Sequence, residues 1–218
     1  MKYTTLVWDW NGTLLDDVSI CIASMNRMLQ KRGLPALDAA RYREIFTFPV
    51  KDYYYQLGFD QAADPFSIIG LEFIDYFKQM LPDAPLQQGA ASFLEEAGHN
   101  RLRQLVVSAM EQQSLTKNIF QLKIGHHFSQ IFGIENNYGG GKTELARWVA
   151  DQLGNPSECL MIGDTLHDAE VAREVGWDCI LIASGHQSAN RLNKSGVPVF
   201  ADLSEANQWF SSLLNRRN

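Results

Sequence analysis

The sequence predicts an α/β fold, in which a three-layer, Rossmann-like core with a parallel sheet carries an inserted helical cap domain. Two features predict it. After Pro85, short apolar runs alternate with helical patterns, which is typical of a parallel sheet covered by helices on both faces. Before Pro85, a long stretch has apolar residues at helical spacing and no strong strand.

The first strand is predicted over residues 3–8, an apolar and β-branched run. It ends at Asp9, and Asn11-Gly12 follows as a turn signal. The helical stretch then forms the predicted cap over residues 16–83. The core is therefore predicted to be discontinuous, comprising residues 1–15 and 84–218.

The rest of the core is predicted to alternate between strands and helices. Strands are expected at the short apolar runs, over residues 104–108, 131–132, 159–163, 179–183 and 198–200. Helices are expected over residues 90–96, 113–122, 143–153, 169–175 and 204–214. Because open parallel sheets bind ligands outside the carboxyl ends of their strands, the residues that follow each strand are the candidates for function.

Composition and charge narrow the class of protein. The chain has 218 residues, 45% of them hydrophobic and 20% charged, which is an ordinary globular balance. The net charge is -6 and no basic run occurs, so neither nucleic acid nor an anionic membrane is expected as a partner. The N-terminal apolar run is short and broken by Asp9, so it predicts neither a signal peptide nor a membrane span. Three widely spaced cysteines without a CxxC pattern favour a reducing, cytoplasmic location.

The polar residues at the predicted strand ends form a chemically coherent set. One group follows the first strand and another follows the strand at residues 159–163. A serine ends the strand at residues 104–108, and a lysine precedes the helix at residues 143–153. The set consists of Asp9, Asn11, Thr13, Ser108, Lys142, Asp164, Thr165 and Asp168.

These residue types supply what phosphoryl transfer needs. Two converging carboxylates bind a hard cation such as Mg²⁺ through oxygen, and one of them can attack phosphorus as a nucleophile. A hydroxyl and an ammonium group can hold the phosphate oxygens that carry negative charge in the transition state. Backbone N–H groups around Asn11-Gly12 can add to the anion cradle.

Four motifs resemble those of the haloacid dehalogenase-like superfamily, in the family's order and spacing and over most of the chain. Asp9-Trp10-Asn11-Gly12-Thr13-Leu14 is similar to the first motif, DxDGT followed by Leu or Val. Val106-Val107-Ser108 resembles the second, an apolar strand ending in Ser or Thr, and Lys142 resembles the third, a lone lysine ahead of a helix. Gly163-Asp164-Thr165-Leu166-His167-Asp168 matches the fourth, GDxxxD.

The resemblance implies a phosphoglycolate-phosphatase-like enzyme with a helical type-one cap. Such an enzyme hydrolyses a small phosphorylated metabolite, a phosphomonoester, through an aspartyl-phosphate, with Mg²⁺ as cofactor. The implied catalytic residues are Asp9 as nucleophile, Asn11, Ser108 and Lys142. The implied metal ligands are Asp9, the backbone carbonyl of Asn11, Asp164 and Asp168. The implied substrate-binding residues are Gly12, Thr13, Ser108, Ala109, Lys142 and Lys51.

Asn11 departs from the family pattern. Members of the family normally have a second aspartate at this position, the general acid that protonates the leaving group. An amide cannot exchange a proton near neutral pH, so this role is predicted to be lost, or moved to His167 or a cap side chain. General acid–base assistance contributes about two to four orders of magnitude in rate. Substrates with good leaving groups, such as acyl phosphates, would need it least.

Other functions remain open at this point. Phosphonoacetaldehyde hydrolases of the same superfamily resemble DWAGT at the first motif and use a cap lysine to form a Schiff base. Lys51 lies at about the right place in the predicted cap. A phosphomutase is disfavoured because it normally needs the missing aspartate. A catalytically weakened binding protein is the last alternative, against which the retention of the other motif residues argues.

Several residues near these motifs have simpler explanations. Asp16-Asp17 are expected at the hinge into the cap, and His186 in a surface loop. Asp168 is a suitable N-cap for the helix that follows it. His126-His127 lacks a third ligand at a sensible spacing, which predicts a solvated turn. Glycines at positions 139–141 are consistent with a flexible loop ahead of the lysine.

Overall fold

Six short segments pair as parallel strands in the computed structural model, which describes residues 2–135 and 141–215. Numbered along the chain, they are β1 (Thr5–Trp8), β2 (Arg103–Glu111), β3 (Gln130–Ile134), β4 (Cys159–Gly163), β5 (Asp178–Ile182) and β6 (Val199–Phe200). Their order in the sheet is β3-β2-β1-β4-β5-β6. The strand order reverses at β1, which is where open parallel sheets bind ligands. Gly139 and Gly140 of the glycine tract lie outside the described residues.

The register of the three central strands aligns their carboxyl ends. Trp8 of β1 is opposite Val106 of β2 on one side and Ile162 of β4 on the other. The polar residues that follow Trp8, Val106 and Ile162 by one or two positions therefore lie at the same edge of the sheet.

A helical insertion separates β1 from β2 along the chain. It contains α1 (Val18–Lys31), α2 (Ala39–Ile45), α3 (Val50–Gln56) and α4 (Phe66–Met80). These helices share an apolar core of their own, in which Met25 and Leu29 of α1 pack in one cluster with Tyr53 of α3 and Ile69 of α4. The prediction that this stretch is helical is therefore confirmed.

Helices cover both faces of the sheet because successive side chains of a strand point to opposite faces. The remaining helices are α5 (Ala90–His99), α6 (Gln112–Gln121), α7 (Lys142–Leu153), α8 (Leu166–Val175), α9 (Ala189–Leu192) and α10 (Leu203–Asn215). Leu6 and Trp8 of β1 belong to the apolar layer formed with α5, α6 and α10. Val7, between them, belongs to the layer formed with α7, α8 and α9. The predicted three-layer α/β core is confirmed.

The predicted strands are confirmed, and the main difference lies at the end of β2. This strand continues to Glu111 instead of ending at Ser108, because it resumes pairing with Ile134 of β3 after a register shift. No helix among residues 2–135 and 141–215 is long and apolar enough to cross a membrane.

Hydrogen bonds from two arginines hold the insertion against the core, beside the edge of the sheet where the strands have their carboxyl ends. Arg43 of α2 donates to the backbone carbonyls of Ser184 and Gly185 at 3.1 and 3.0 Å. In return, Arg191 of α9 donates to the carbonyls of Arg43 and Phe46 at 3.0 and 2.6 Å. These bonds hold α2 against the loop after β5, and α2 thereby becomes part of the wall around the sheet edge.

Candidate active site

Asp9 lies directly after β1, with only 7% of its surface exposed. Its backbone N–H donates to the carbonyl of Ile162 at 2.9 Å, which extends the pairing of β1 with β4 and fixes the side chain at the sheet edge. The hydroxyl of Thr13 lies 3.3 Å from Asp9 Oδ2 and 3.0 Å from Asp164 Oδ1. This hydroxyl therefore links the carboxylates that follow the two adjacent strands.

Asp168 is fixed by the turn at the start of α8. Thr165 is the N-cap of this helix, and Asp168 completes a capping box as its third residue. Asp168 Oδ2 accepts from the backbone N–H groups of Asp164 and Thr165 at 3.2 and 3.0 Å. The expectation that Asp168 is the N-cap is wrong, because the helix begins three residues earlier than the apolar pattern suggests.

Lys142, the first residue of α7, bridges two of the carboxylates. Its ammonium group donates to Asp9 Oδ1 and, at 2.5 Å, to Asp168 Oδ1. Burial alone would lower the pKa of Lys142, but the charges of Asp168 and Asp9 raise it above its usual value. Burial would raise the pKa of Asp168, yet Lys142 holds it below its usual value. The lysine is therefore a fixed positive charge in the site.

Three buried carboxylates, those of Asp9, Asp164 and Asp168, converge with oxygens within 4.8 Å of one another. Burial, opposed by Lys142, raises the pKa of Asp9 to about 6. Burial also raises the pKa of Asp164 to about 8, and the charge of Asp9 acts in the same direction. Lys142 pairs with Asp9 and Asp168 but not with Asp164. The raised pKa of Asp164 means that this carboxyl group holds a proton at neutral pH, and a hard cation that binds the three side chains would displace that proton.

Two glycines allow the backbone to approach Asp164 closely. Gly12 has φ +76°, and a Cβ there would come within 2.2 Å of Asp164 Oδ2. A Cβ on Gly185 would meet the same oxygen at 2.2 Å. Any larger side chain at either position would displace the carboxylate, which explains why Gly12 is part of the motif.

Ser108 and Ala109 extend the same edge of the sheet on the β2 side. The Ser108 side chain is buried, and its Oγ accepts from the backbone N–H of Met110 at 3.0 Å. Ser108, Ala109 and Asn11 all line one cavity together with the three carboxylates and Lys142. Of the predicted site residues of the core, Gly12 and Thr13 are the two that are not among the residues lining this cavity.

Asp17 and His186 belong to this site as well, contrary to expectation. Asp17 directly precedes α1, the first helix of the insertion, which is where a hinge was predicted. It is nevertheless fully buried, and its Oδ2 accepts from Asn11 Nδ2 at 2.7 Å. Its Oδ1 accepts from the backbone N–H of Gly12 at 2.9 Å and lies 3.3 Å from His186 Nε2. His186 is 5% exposed, so its assignment to a surface loop is wrong.

The insertion completes the surroundings of His186. Tyr42 Oη of α2 lies 2.8 Å from His186 Nδ1, and the backbone N–H of His186 donates to Asp164 Oδ2 at 2.6 Å. Burial would lower the pKa of His186, but the charge of Asp17 outweighs it and raises the value to about 9. The imidazole is therefore a second cation beside the carboxylates at neutral pH.

Cys21 of α1 joins Asp17 and His186 in a second group with ligand atoms within 4.8 Å. Burial, and then the charge of Asp17, raises the pKa of the Cys21 thiol well above its usual value. Because metals bind the thiolate, this environment favours a hydrogen-bonding role for the group over metal ligation.

A cavity of about 900 Å³ lies between the sheet edge and the insertion. Lys51, on α3, lies in its wall with an exposed side chain. His167 lies there too, stacked on Phe48 with ring centroids 4.9 Å apart. His126-His127 is far from this site in the fold, in a short 3-10 turn before β3. A smaller cavity of about 370 Å³ lies at the opposite end of the strands and contains no comparable set of groups.

Comparisons with known proteins identify the family and the fold of this chain. The family model of haloacid dehalogenase-like hydrolases matches residues 6–182. A 5'-nucleotidase of Pseudomonas aeruginosa is 27% identical over 97% of this chain and 97% of that protein. An N-acetylmuramic acid 6-phosphate phosphatase of Pseudomonas putida is 24% identical over 93% of each chain. A haloacid dehalogenase-like hydrolase from Streptococcus pneumoniae superposes with a TM-score of 0.81 at 22% identity, covering 96% of this chain and 99% of that one.

The chain belongs to the haloacid dehalogenase-like hydrolase family, because the family model spans most of its length. Its fold is the one found in the solved structures of that family. The resemblance drawn from the four sequence motifs is therefore confirmed at the level of family and fold.

Proposed function

We propose that this protein is a phosphatase that hydrolyses a small phosphomonoester through an aspartyl-phosphate on Asp9. The observation that carries the proposal is the convergence of Asp9, Lys142 and Asp164 at the sheet edge, with Ser108 in the same cavity. The relatives named as a 5'-nucleotidase and as an N-acetylmuramic acid 6-phosphate phosphatase support a small phosphorylated compound as the substrate of this chain.

The carboxylate group suits a hard divalent cation. Its oxygens lie within 4.8 Å of one another, and a divalent cation that binds them takes the place of the proton that the raised pKa gives Asp164. We propose Mg²⁺, held by Asp9, Asp164 and the backbone carbonyl of Asn11, with Asp168 supporting the site. When bound, the ion neutralises negative charge on the phosphate oxygens.

The side chains of the site have distinct tasks in this reaction. The Asp9 carboxylate attacks phosphorus, and the bond between phosphorus and the leaving-group oxygen breaks. Lys142 keeps Asp9 ionised and balances charge on the transferred phosphoryl group, and Ser108 donates to one of its oxygens. Water then attacks the phosphorus of the aspartyl-phosphate, which releases inorganic phosphate and restores the carboxylate.

The leaving group receives little help from position 11. The Asn11 amide donates to Asp17 and has no proton to give to an alkoxide. We therefore propose that the rate depends steeply on the pKa of the leaving group. A series of aryl and alkyl phosphates of graded leaving-group pKa measures this directly, and a flat dependence would show that another residue supplies the proton.

The insertion is proposed to act as the cap over this reaction, with boundaries near residues 16 and 83. It contributes the wall opposite the carboxylates, and its α2 contacts His186 through Tyr42. A closed wall excludes water while the phosphoryl group is transferred. Three free cysteines are consistent with a reducing compartment, for which we propose the cytoplasm.

Phosphonate cleavage through Lys51 is less well supported. Lys51 does line the cavity, but its side chain is exposed. A Schiff-base lysine is made nucleophilic by burial in an apolar pocket or by a neighbouring cation, and the exposed position offers no such burial. Trapping with borohydride and phosphonoacetaldehyde would nevertheless detect such a reaction directly.

The decisive experiment measures phosphate release from a panel of small phosphomonoesters and acyl phosphates, with Mg²⁺ or with EDTA. Wild type is compared with Asp9→Asn and with Asp178→Asn, a matched variant at the opposite end of the sheet. Activity that requires Mg²⁺ and Asp9, and survives in Asp178→Asn, is the expected result. If wild type is inert across the panel, the phosphatase proposal fails and a binding role becomes the better explanation.

A further inference from the structure

The part of the cavity beyond the carboxylates is unusually apolar for a site that accepts a phosphorylated metabolite. Its wall includes Phe46, Phe48, Phe66, Leu71, Phe73 and Ile74, all from the insertion. Phe48 and Leu71 are 37% and 44% exposed. Exposed large apolar side chains that face a cavity mark a binding surface. We call this group of six residues the aromatic wall.

The aromatic wall is held in place and is continuous with the reaction centre. Phe46 contacts Phe48 with ring centroids 5.4 Å apart, and Phe48 stacks on His167 of the core. The carbonyl of Phe46 accepts from Arg191 at 2.6 Å and from Gln187 at 3.0 Å. These contacts fix Phe46 and Phe48 relative to the sheet edge, so this part of the wall is positioned to receive the group attached to the phosphate.

Charge distribution limits what that group can be. The cationic residues of the insertion that line the cavity among the described residues are Lys51 and Lys78, and both are exposed. On the core side, Glu111 lines the cavity, and its carboxylate caps α6 through the N–H groups of Gln113 and Ser114. A second carboxylate or phosphate on the substrate would therefore find only exposed lysines at the aromatic wall. Pairing with an exposed lysine contributes little toward the cost of taking an anion out of water.

The size of the cavity points in the same direction. A volume of about 900 Å³ falls in the range of sites for drug-sized ligands and is far more than a phosphate group needs. Aromatic rings pack favourably against other rings in offset or edge-to-face geometry. A flat ring therefore uses this volume and this wall better than a short polar chain does.

We propose that the aromatic wall binds an uncharged, aromatic leaving group, so that the substrates are phosphomonoesters of alcohols that carry an aromatic ring, and not phosphorylated carboxylic acids. This inference rests on the proposed phosphatase function. It adds the chemical class of the substrate, and it assigns substrate selection to Phe48 and Leu71.

The test must separate binding of the ring from leaving-group chemistry. Ethyl phosphate, 2-phenylethyl phosphate and phosphoglycolate all release a primary alkoxide, so the attached group is the main difference between them. We expect kcat/KM for 2-phenylethyl phosphate to exceed that for the other two by about 10- to 100-fold, the range expected for burial of an apolar group of this size. Equal values, or a preference for phosphoglycolate, would overturn the inference.

Variants of the aromatic wall test whether it causes the preference for 2-phenylethyl phosphate. Phe48→Ser and Leu71→Ser are each expected to reduce the preference for the phenyl compound severalfold, through KM more than kcat. Ile68→Ser is the matched control, since Ile68 lies on the same helix as Leu71, is 61% exposed and lies outside the cavity wall. An equal effect of Ile68→Ser would show that the preference does not come from the wall.

A binding measurement keeps the inference independent of turnover. Calorimetry with Mg²⁺-loaded protein compares 2-phenylethylphosphonate with ethylphosphonate, neither of which is a phosphomonoester. If no phosphomonoester is hydrolysed, the proposed function fails, and tighter binding of the phenyl compound still upholds the aromatic wall as a ligand site. Equal binding of the two phosphonates overturns it.

Discussion

The side-chain amide of Asn11 donates a 2.7 Å hydrogen bond to the carboxylate of Asp17. The position at which the resemblance implies a general acid thus holds a neutral donor, and the carboxylate lies six residues further along the chain. Asp17 also faces His186 at 3.3 Å. The first motif therefore has a carboxylate beside it, but that carboxylate belongs to Asp17 and pairs with Asn11 and His186.

Asn11→Asp is expected to destabilise the protein, because it places two carboxylates where a hydrogen bond now exists. We expect a loss of about 1–3 kcal/mol at pH 7 in EDTA. The repulsion raises the pKa of one carboxylate above its value in the unfolded chain, so the folded variant binds the extra proton. The deficit should therefore be largest near neutral pH and shrink as the pH falls toward about 4. Urea unfolding of wild type and variant across this range measures it.

The exchange variant Asn11→Asp/Asp17→Asn serves as the control for that prediction. It restores one carboxylate and one amide in the pair, with their positions reversed. The repulsion between two carboxylates is removed, but Asp17→Asn also takes away the buried carboxylate that faces His186 at 3.3 Å. The double variant should therefore keep a deficit of its own that does not shrink between pH 7 and about pH 4. A deficit that shrinks in that range as it does in Asn11→Asp would show that the two carboxylates do not cause the loss.

Lys142→Met is expected to affect both stability and activity, because it leaves Asp9 and Asp168 buried without their cation. Breaking a buried ion pair from one side costs about 3–5 kcal/mol, and loss of a charge that stabilises the transition state costs about 100- to 1000-fold in kcat. Thermal unfolding and phosphate release measure the two effects. Lys2→Met is the matched control, because Lys2 pairs with Asp178 at a site where both side chains are largely exposed, so a small change is expected. Equal losses in both variants would contradict a special role for Lys142.

Much of the site could be predicted from the sequence because of one geometrical rule. Residues that follow parallel strands meet at one sheet edge, so Asp9 and Asp164 were expected together although 155 positions separate them in the sequence. His186 also follows a strand, β5, but it lies four residues beyond the end of that strand, where a surface loop is the simpler expectation. Its burial depends on the fold of a loop after β5, on Arg43 binding that loop, and on Tyr42 from the insertion. These are tertiary contacts, and a single sequence carries no pattern for them.

The same limit applies to Asp17. In the sequence alone, a carboxylate close after the first motif is equally consistent with a polar hinge residue and with a site residue. Only the turn at Gly12, whose N–H donates to Asp17 Oδ1 at 2.9 Å, directs it into the site. The orientation of the aromatic wall toward the cavity likewise has no pattern in the sequence, because it depends on how α2, α3 and α4 pack together.

Mg²⁺ should stabilise the folded protein if the carboxylate group holds it. Binding at 100 times the dissociation constant adds about 2.7 kcal/mol to the free energy of unfolding. Asp164→Asn is expected to abolish most of this increment, because it removes a ligand at the centre of the group. Asp178→Asn, at the opposite end of the sheet, should retain it. Melting curves with and without Mg²⁺ measure the stabilisation of wild type, Asp164→Asn and Asp178→Asn. Equal stabilisation of all three proteins would show that the ion binds elsewhere.

The insertion contains an ion-pair network whose contribution should depend on pH in a defined direction. Glu72 of α4 accepts from Arg32 at 2.8 Å and from Lys31 at 3.0 Å, and its side chain is 19% exposed. Burial would raise the pKa of Glu72, but Arg32 and Lys31 outweigh it and lower the value. A carboxylate with a lowered pKa stabilises the fold above its unfolded pKa and loses that contribution as the pH falls.

Glu72→Gln is therefore expected to cost about 1 kcal/mol near pH 7. The difference from wild type should begin to shrink only below the unfolded pKa of about 4.3 and should vanish below the lowered pKa of the folded state. Urea unfolding at pH 7 and at about pH 2–3 measures it. Glu174→Gln is the control, because Glu174 pairs with Arg147 where both side chains are largely exposed, and little change is expected at either pH. A Glu72→Gln deficit that persists unchanged at low pH would mean that the loss comes from packing of α1 against α4, and not from the charge of Glu72.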